Sequence, residues 1–227
     1  NLVSALYTRK QSTYTENRIY KYAEIEELEP DVFIKVRRLV ENQKAGHPWS
    51  TMSDLEILKS AGMYLKDPVT GDEGITLGGI LTFGKPELIH AALSHYKTDA
   101  ILRKEKLDRY DDRDDIRVNL IDSFERLMLF IAKHLNDKFY LEGEQRINLR
   151  DKIFREAITN LLIHREFSSA FPAKLIIEKD RVFIENSNKP HGNGTIDPDN
   201  FSPYPKNPTI AKLFKEIGWV DELGSGV

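Results

Sequence analysis

Two short runs rich in β-branched and aromatic residues lie almost back to back in the C-terminal half of the chain. They are AKLIIE at 173–178 and RVFIEN at 181–186, and only Lys179 and Asp180 separate them. A two-residue connection between such runs is typical of a β-hairpin. The chain must therefore build an antiparallel strand pair here, and its remaining elements must pack around that pair.

Apolar residues recur at helical spacing on both sides of this hairpin. They predict an amphipathic helix over about 118–136, a second helix over about 149–165, and a third that ends near Gly218. Residues 96–103 alternate in strand fashion, and a loop rich in Gly, Pro and Asn occupies 187–208. The order helix, helix, hairpin, long loop, helix predicts an α+β fold, with helices on one face of a mostly antiparallel sheet.

The N-terminal part of the chain shows a different pattern. Residues 5–25 mix Tyr, Thr and Ser with basic side chains, which predicts a polar, strand-like segment whose sheet partners we expect upstream. A mainly helical connector is predicted over 26–92; it includes a short helix between Ser53 and Gly62 and a buried apolar run, ITLGGILTFGKP, at 75–86. We therefore expect three regions, 1–25, 26–92 and 93–227, and a chain that is a segment of a longer protein.

Charge and composition exclude several classes of protein. The formal net charge of −3 provides no global basic field, so any DNA contact requires a local patch. The charged run at 102–117 is nearly balanced in sign and predicts a solvated loop or another exposed element. The chain has no cysteine, which excludes disulfides and thiolate zinc sites and fits a reducing, cytoplasmic location. No run approaches the roughly 20 apolar residues that cross a bilayer, so we expect no membrane partner.

The segment REAITNLLIHREF at 155–167 places Glu156, Asn160 and His164 four residues apart in an otherwise apolar stretch. In a helix, a four-residue step turns successive side chains by only about 40°, so the three form one polar stripe. One interpretation is a solvent-facing stripe with an i,i+4 hydrogen-bonded pair, ended by His164 as a cationic cap. The other is a ligand site, because a carboxylate and an amide on adjacent turns suit a hydrated, hard cation such as Mg²⁺.

The pair Glu156-xxx-Asn160 resembles the N-box of the GHKL ATPase fold, which gyrase, histidine kinases and MutL share. The resemblance implies that Asn160 holds the Mg²⁺ that bridges the phosphates of ATP. It also implies that Glu156 orients or deprotonates the attacking water if the protein hydrolyses ATP. The fold expected from this resemblance is a GHKL-like sandwich.

Further motifs stand in an order that resembles the RecG-related transcriptional regulators, in which a Schlafen-type AlbA domain precedes a divergent GHKL-like module. These motifs are TRKQST at 8–13, GGILTFGKP at 78–86, REAITNLLIHREF at 155–167, RVFIEN at 181–186, PKNP at 205–208 and the ending GWVDELGSGV. The resemblance implies that 1–25 is the C-terminal remnant of an AlbA-like DNA-binding domain. It implies that 93–227 is a divergent, C-terminally truncated GHKL/HATPase-like domain.

The family's Asp-x-Gly-x-Gly motif, whose Asp reads the adenine amino group, corresponds to ENSNKPHGNG at 185–194. Glu185 or Asn186 would replace that Asp, and Gly192 and Gly194 would supply the glycines. The alternative is plain turn chemistry, in which glycine is used for its positive φ.

The resemblance implies three more ligand contacts, with Lys206 approaching a phosphate and the last glycine box falling on Gly224 and Gly226. Each has a structural alternative, an exposed lysine on a rigid loop and a pair of loop glycines. Basic residues interleaved with tyrosines near the N-terminus form a candidate DNA-binding strip, because phosphate contacts and base stacking both provide affinity without sequence preference. Its basic residues are Arg9, Lys10, Arg18 and Lys21, of which the first three are the predicted DNA contacts.

Three functions remain open. The first is a DNA-binding transcription regulator, acting as a homodimer, whose GHKL-like module senses a nucleotide. The second is an active Mg²⁺-dependent ATPase with Glu156 as the base. The third is a module that has kept the fold and lost the ligand, and serves in dimerisation. The chain has no GxxxxGK[ST] phosphate loop, so it does not carry the motif of a P-loop helicase.

Overall fold

The structure is a computed structural model that describes residues 14–105, 109–137, 140–142, 145–187 and 205–220. Within these ranges it is α+β, as predicted. The α-helices are α1 Pro30–Gln43, α2 Asp54–Ala61, α3 Leu77–Phe83, α4 Pro86–Ala92, α5 Leu120–His134, α6 Leu149–Ile163 and α7 Pro208–Glu216. The strands are β1 Ile19–Tyr20, β2 Tyr64–Lys66, β3 Glu73–Thr76, β4 Thr98–Arg103, β5 Asp112–Ile116, β6 Tyr140–Glu142, β7 Gln145–Ile147, β8 Ala173–Glu178 and β9 Val182–Glu185.

The main sheet has the strand order β5-β4-β8-β9. Its two outer pairs are antiparallel, whereas β4 and β8 run parallel and are connected through α5 and α6. The predicted hairpin is confirmed as β8 and β9, and Glu178 N donates to Arg181 O at 2.8 Å where the chain reverses. The predicted strand at 96–103 is confirmed as β4. The sheet is therefore mixed, with antiparallel pairs at both edges.

One face of this sheet joins the hydrophobic core. Ala100 and Leu102 of β4 and Leu175 and Ile177 of β8 belong to the same buried cluster as residues of α5, α6 and α7. Side chains alternate along a strand, so the residues between them lie on the opposite face. There Asp99 is held by Lys97 at 2.9 Å and Arg113 at 2.8 Å.

Helix boundaries follow local capping signals. Ser53 and Glu56 form a capping box at the start of α2, and Gly62 ends it with φ 75°, as the sequence predicts. Asn119 and Asn148 cap α5 and α6 by accepting from Asp122 N at 2.9 Å and Asp151 N at 3.0 Å. No helix in the described residues is long and apolar enough to span a membrane.

The region 26–92 contains four helices and also strands β2 and β3, which its periodicity did not reveal. The polar segment before it contributes β1, which pairs with β3 of the same chain. The run at 75–86 is buried, as expected, but it changes from strand to helix at Thr76, whose hydroxyl accepts from Gly79 N at 3.2 Å. The charged run at 102–117 contains β5, an edge strand, where charged side chains are tolerated because one edge faces solvent.

Two adjacent glycines in α3 allow a matched test of this packing. A Cβ on Gly79 would lie 2.8 Å from Met63 O and 2.9 Å from Ile75 Cγ2, whereas a Cβ on Gly78 would meet its nearest atom, Glu16 O, at 3.4 Å. We expect Gly79→Ala to lower the free energy of unfolding by about 1–3 kcal/mol through overpacking. Gly78→Ala should leave it unchanged or raise it by up to about 1 kcal/mol, because alanine favours the helix. Urea unfolding measures both, and equal effects of the two substitutions would contradict the described contact.

Candidate functional site

Helix α6 buries one side and exposes the predicted polar stripe on the other. Ile158, Leu161 and Leu162 are buried in the core, while Glu156 and Asn160 are exposed to solvent. The four-residue spacing explains this division, because it keeps the acid and the amide on one side of the helix, away from the apolar positions. The two side chains are therefore accessible to a ligand.

The strand β9 ends against the last turn of this helix. Asn186 Nδ2 donates to Leu161 O at 2.9 Å, and Glu166 N donates to Ser187 O at 3.0 Å. The chain then enters residues 188–204, which lie outside the described ranges. One flank of this segment is thus hydrogen-bonded to the C-terminal end of α6.

The other flank is attached to the same helix end. Asn207 is 2% exposed, and its Nδ2 donates to Ile163 O at 2.9 Å and to Arg165 O at 2.8 Å. Its backbone N–H also donates to Ile163 O, at 3.2 Å. Both flanks of 188–204 therefore meet at the end of the helix that carries Glu156 and Asn160. Asn207 was not among the predicted site residues, although its place directly before Pro208, a residue favoured at the first helical position, was a usable signal.

Glu185 and Asn186, the two candidates for the residue that contacts the adenine base, point in different directions. Glu185 is exposed and pairs with Lys174 across the hairpin at 2.7 Å. Asn186 points to α6, and its Oδ1 is buried without a hydrogen-bond partner among the described residues. A buried amide oxygen without a donor is unusual, since nearly all buried polar atoms are paired. Asn186, rather than Glu185, therefore presents an acceptor at this position.

Lys206 is already engaged in an ion pair. Its Nζ lies 3.1 Å from Glu166 Oε2, and Glu166 is only 4% exposed. Burial raises the pKa of Glu166, but hydrogen bonds from Ser168 and the Lys206 ammonium outweigh it and hold that pKa below its ordinary value. Any contact of Lys206 with a phosphate would have to compete with this carboxylate.

His164 is the C-cap residue of α6 and is half-buried. Burial lowers the pKa of its imidazole, so the ring is neutral at neutral pH. The residue ends the helix, as predicted for a C-terminal cap, and burial favours its neutral form over the cationic one. The next residue, Arg165, is 1% exposed and lies over the rings of Tyr96 at 4.9 Å and Phe167 at 5.7 Å.

The remaining predicted site residues are not brought together by the described structure. Arg18 is exposed beside β1, with its guanidinium 5.2 Å from the Tyr20 ring centre. Six further positions lie outside the described ranges: Arg9, Lys10, Gly192, Gly194, Gly224 and Gly226. Within those ranges no group of three or more His, Asp or Glu side chains is arranged to hold a metal. A cation at Asn160 would consequently need ligand oxygens or water to complete its coordination.

Two grooves on the described surface lie elsewhere. One of about 310 Å³ is formed by α4 together with Tyr96 and Arg117. The other, of about 290 Å³, lies between β5 and α5. Neither is lined by Glu156 or Asn160, so the candidate site is an exposed helix face and not one of these grooves.

Comparison with known proteins gives a family match and matches to solved structures. A family model described as "Domain of unknown function (DUF8451)" matches residues 4–99. The crystal structure of the DIP2311 protein from Corynebacterium diphtheriae is similar with a TM-score of 0.66 and 16% sequence identity, over 96% of this chain. This chain spans 42% of the length of that chain. No curated protein matches. At this identity the likeness to DIP2311 shows a shared fold alone.

Removing the Asn207 side chain should destabilise the protein, because Arg165 O would lose this donor in a buried place and Ile163 O would keep only the backbone N–H of residue 207. We expect Asn207→Ala to lower the free energy of unfolding by about 1–3 kcal/mol. Asn160→Ala is the matched control on an exposed asparagine, and it should change stability by no more than about 0.5 kcal/mol. Urea unfolding monitored by circular dichroism compares the two, and a larger effect at Asn160 would contradict the assignment of structural and exposed roles.

The buried imidazole of His164 should make stability depend on pH. Its pKa is lower in the folded protein than the ordinary value of 6.5, so the unfolded chain binds more protons between these two pKa values. The contribution of His164 is therefore complete above pH 6.5 and is lost as the pH falls towards the folded pKa. We expect His164→Gln to flatten this part of the curve of unfolding free energy measured from pH 5 to pH 8. A variant with the same slope as the wild type would contradict the buried, neutral imidazole.

Proposed function

We propose that this chain is the nucleotide-sensing part of a DNA-binding transcription regulator, and that its GHKL-like module binds Mg²⁺-ATP on the exposed side of α6. The observation that carries the proposal is the attachment of both flanks of segment 188–204 to the end of α6. This attachment tethers the segment that contains Gly192 and Gly194 to the helix that exposes Glu156 and Asn160.

The chemistry of the exposed pair fits a hydrated magnesium ion. Mg²⁺ keeps several waters and is usually bound through one or two protein oxygens together with substrate phosphates. Asn160 Oδ1 would supply the amide ligand. Glu156, one turn earlier, would accept hydrogen bonds from water on the ion. Both side chains are exposed, so neither has to leave a buried partner to do this.

The buried oxygen of Asn186 supports recognition of a base. Its Nδ2 is committed to Leu161 O, which fixes the amide orientation and leaves Oδ1 as an acceptor. An exocyclic amino group of a purine is a donor of the kind that this oxygen lacks. Adenine and guanine both carry such an amino group, so this oxygen suits a purine nucleotide such as ATP.

The charges around the site favour nucleotide sensing over ATP hydrolysis. The one lysine at this end of the described α6, Lys206, is neutralised by Glu166, so it does not stand free to stabilise charge on a transferred phosphoryl group. Binding would instead change how the flanks of 188–204 sit on α6. We propose that this change alters the geometry of a homodimer or its affinity for DNA. The DNA contacts are proposed for the strip Arg9, Lys10 and Arg18, of which Arg18 is exposed in the described structure.

Thermal unfolding with increasing Mg²⁺-ATP, ADP or GTP tests the proposal. At a concentration about a hundredfold above Kd, ligand binding adds about 2.7 kcal/mol of stability. For a chain of this size that should raise Tm by about 5–10 °C. We expect this for ATP, a loss of the shift in Asn160→Ala, and its retention in Glu156→Gln. Ile153→Ala, at an exposed position one helix turn before Glu156, is the control that should keep the shift.

Two other results would assign the other functions. Release of phosphate by the wild type that is lost in Glu156→Gln would identify an ATPase. The absence of a shift with every nucleotide would overturn nucleotide sensing and leave a dimerisation module. The DNA part is tested in the same samples by the dependence of DNA affinity on salt, with and without ATP, since phosphate contacts give a linear fall of log K with log salt concentration.

A further inference from the structure

The segment at the beginning of the described chain is bonded directly to the last helix. Glu16 lies in the 3-10 turn Thr15–Asn17 and is completely buried. Its Oε1 accepts from Thr209 N at 2.7 Å and its Oε2 from Ile210 N at 3.0 Å, so a residue 193 positions earlier caps the N-terminus of α7. Thr209 Oγ1 also donates to Asn17 Oδ1, at 3.2 Å.

Helix α7 depends on this distant cap because its own start supplies none. Pro208 at its first position has no N–H, and the next two N–H groups have no partner within the helix. Asn207, the residue that would ordinarily cap them, makes no capping bond among the described residues, because its amide donates to Ile163 O and Arg165 O instead. Glu16 therefore provides what the local sequence does not.

The same turn joins three parts of the molecule. On one side Asn207 bonds to the end of α6, where the flanks of segment 188–204 are held. On the other side Thr209 and Ile210 bond to Glu16. The N-terminus of α7 is thus hydrogen-bonded both to the end of the helix that carries the candidate nucleotide site and to the cap at residue 16.

A buried carboxylate makes this link stiff. Burial raises the pKa of Glu16, and hydrogen bonds from the backbone N–H groups of Thr209 and Ile210 and from the Thr209 side chain act against that effect. If α7 moved and Glu16 stayed, the carboxylate would remain in the interior without donors, which is far less favourable than losing a contact at the surface. Residues 14–17 must therefore follow the N-terminus of α7 when it moves.

We propose that Glu16 is the coupling residue through which occupancy of the candidate nucleotide site reaches the predicted DNA-binding strip. A ligand that changes how Pro205–Asn207 sits on the end of α6 shifts the first turn of α7, and the Glu16 carboxylate carries this shift to residues 14–18. Arg18 lies in this segment, and Arg9 and Lys10 precede it in the chain. The nucleotide part of this inference rests on the proposed function, whereas the mechanical link does not.

The link is tested without any ligand by amide hydrogen exchange. Asn207→Ala loosens α7 from α6, and we expect exchange of the Asn17 and Arg18 amides, which donate to Tyr14 O and Thr15 O, to accelerate at least tenfold. Glu16→Gln should do the same, because an amide NH₂ cannot accept from a backbone N–H. The double variant should accelerate exchange no more than the faster single variant, since both break one path. Glu26→Gln removes an equal charge from an exposed position and should have no effect.

Unchanged exchange at 17 and 18 in Asn207→Ala, or additive effects in the double variant, would overturn the link. Should Asn207→Ala fail to fold, Lys206→Met loosens the same turn by removing only the ion pair with Glu166. The ligand experiment then separates the two proposals. Mg²⁺-ATP should slow exchange at residues 14–18 about fivefold or more in the wild type and not in Glu16→Gln. A thermal shift with ATP but no such slowing would refute the coupling alone, whereas no thermal shift would refute nucleotide sensing and leave the ligand-free result to decide the link.

Discussion

The unpaired carbonyls at the end of α6 determine how the C-terminal half of this protein is assembled. Every α-helix leaves its last four carbonyl oxygens without intrahelical donors. In many helices a glycine in the left-handed conformation ends the helix and lets later N–H groups bond to these oxygens. Here side-chain amides donate to them instead: Asn186 donates to Leu161 O and Asn207 to Ile163 O. Because these two asparagines come from β9 and from the start of α7, the helix end fixes the positions of both elements.

The consequence for the site is that its rigid and variable parts are separated. Glu156 and Asn160 lie on a helix whose opposite side is packed into the core, so their backbone positions are fixed. The segment between Ser187 and Pro205 is bonded to the same helix at both flanks. A ligand on α6 would therefore act on the flanks, which are held to it by a few hydrogen bonds, more readily than on the helix, which is held by many apolar contacts.

Local signals in the sequence predicted the elements that depend on neighbours in the chain. The two-residue connection gave the hairpin, and the Ser53–Glu56 box gave the start of α2, because both interactions span three residues or fewer. Interactions between distant residues were not readable in this way. Strand β5 was not predicted because it is highly charged, which an edge strand tolerates. The pairing of β1 with β3 was not predicted either, because the two strands lie far apart in the chain. The exposure of Glu156 and Asn160 followed from helical periodicity, whereas the roles of Asn207 and Glu16 depend on contacts across the fold.

The junction at the start of α7 holds the helix in place through buried polar groups, whose loss of partners would greatly reduce stability. A surface serine or aspartate at position 207 would cap α7 locally, and a glycine after α6 would end that helix with little loss of stability. Instead the chain buries a carboxylate and an amide completely, and such groups destabilise the protein severely if either loses its partners. If one group of such a buried pair moves, its partner must move with it. The junction therefore tolerates change poorly but transmits a displacement well. This is the physical reason for reading the junction as a connection between α6 and the N-terminal segment, and not as a cap alone.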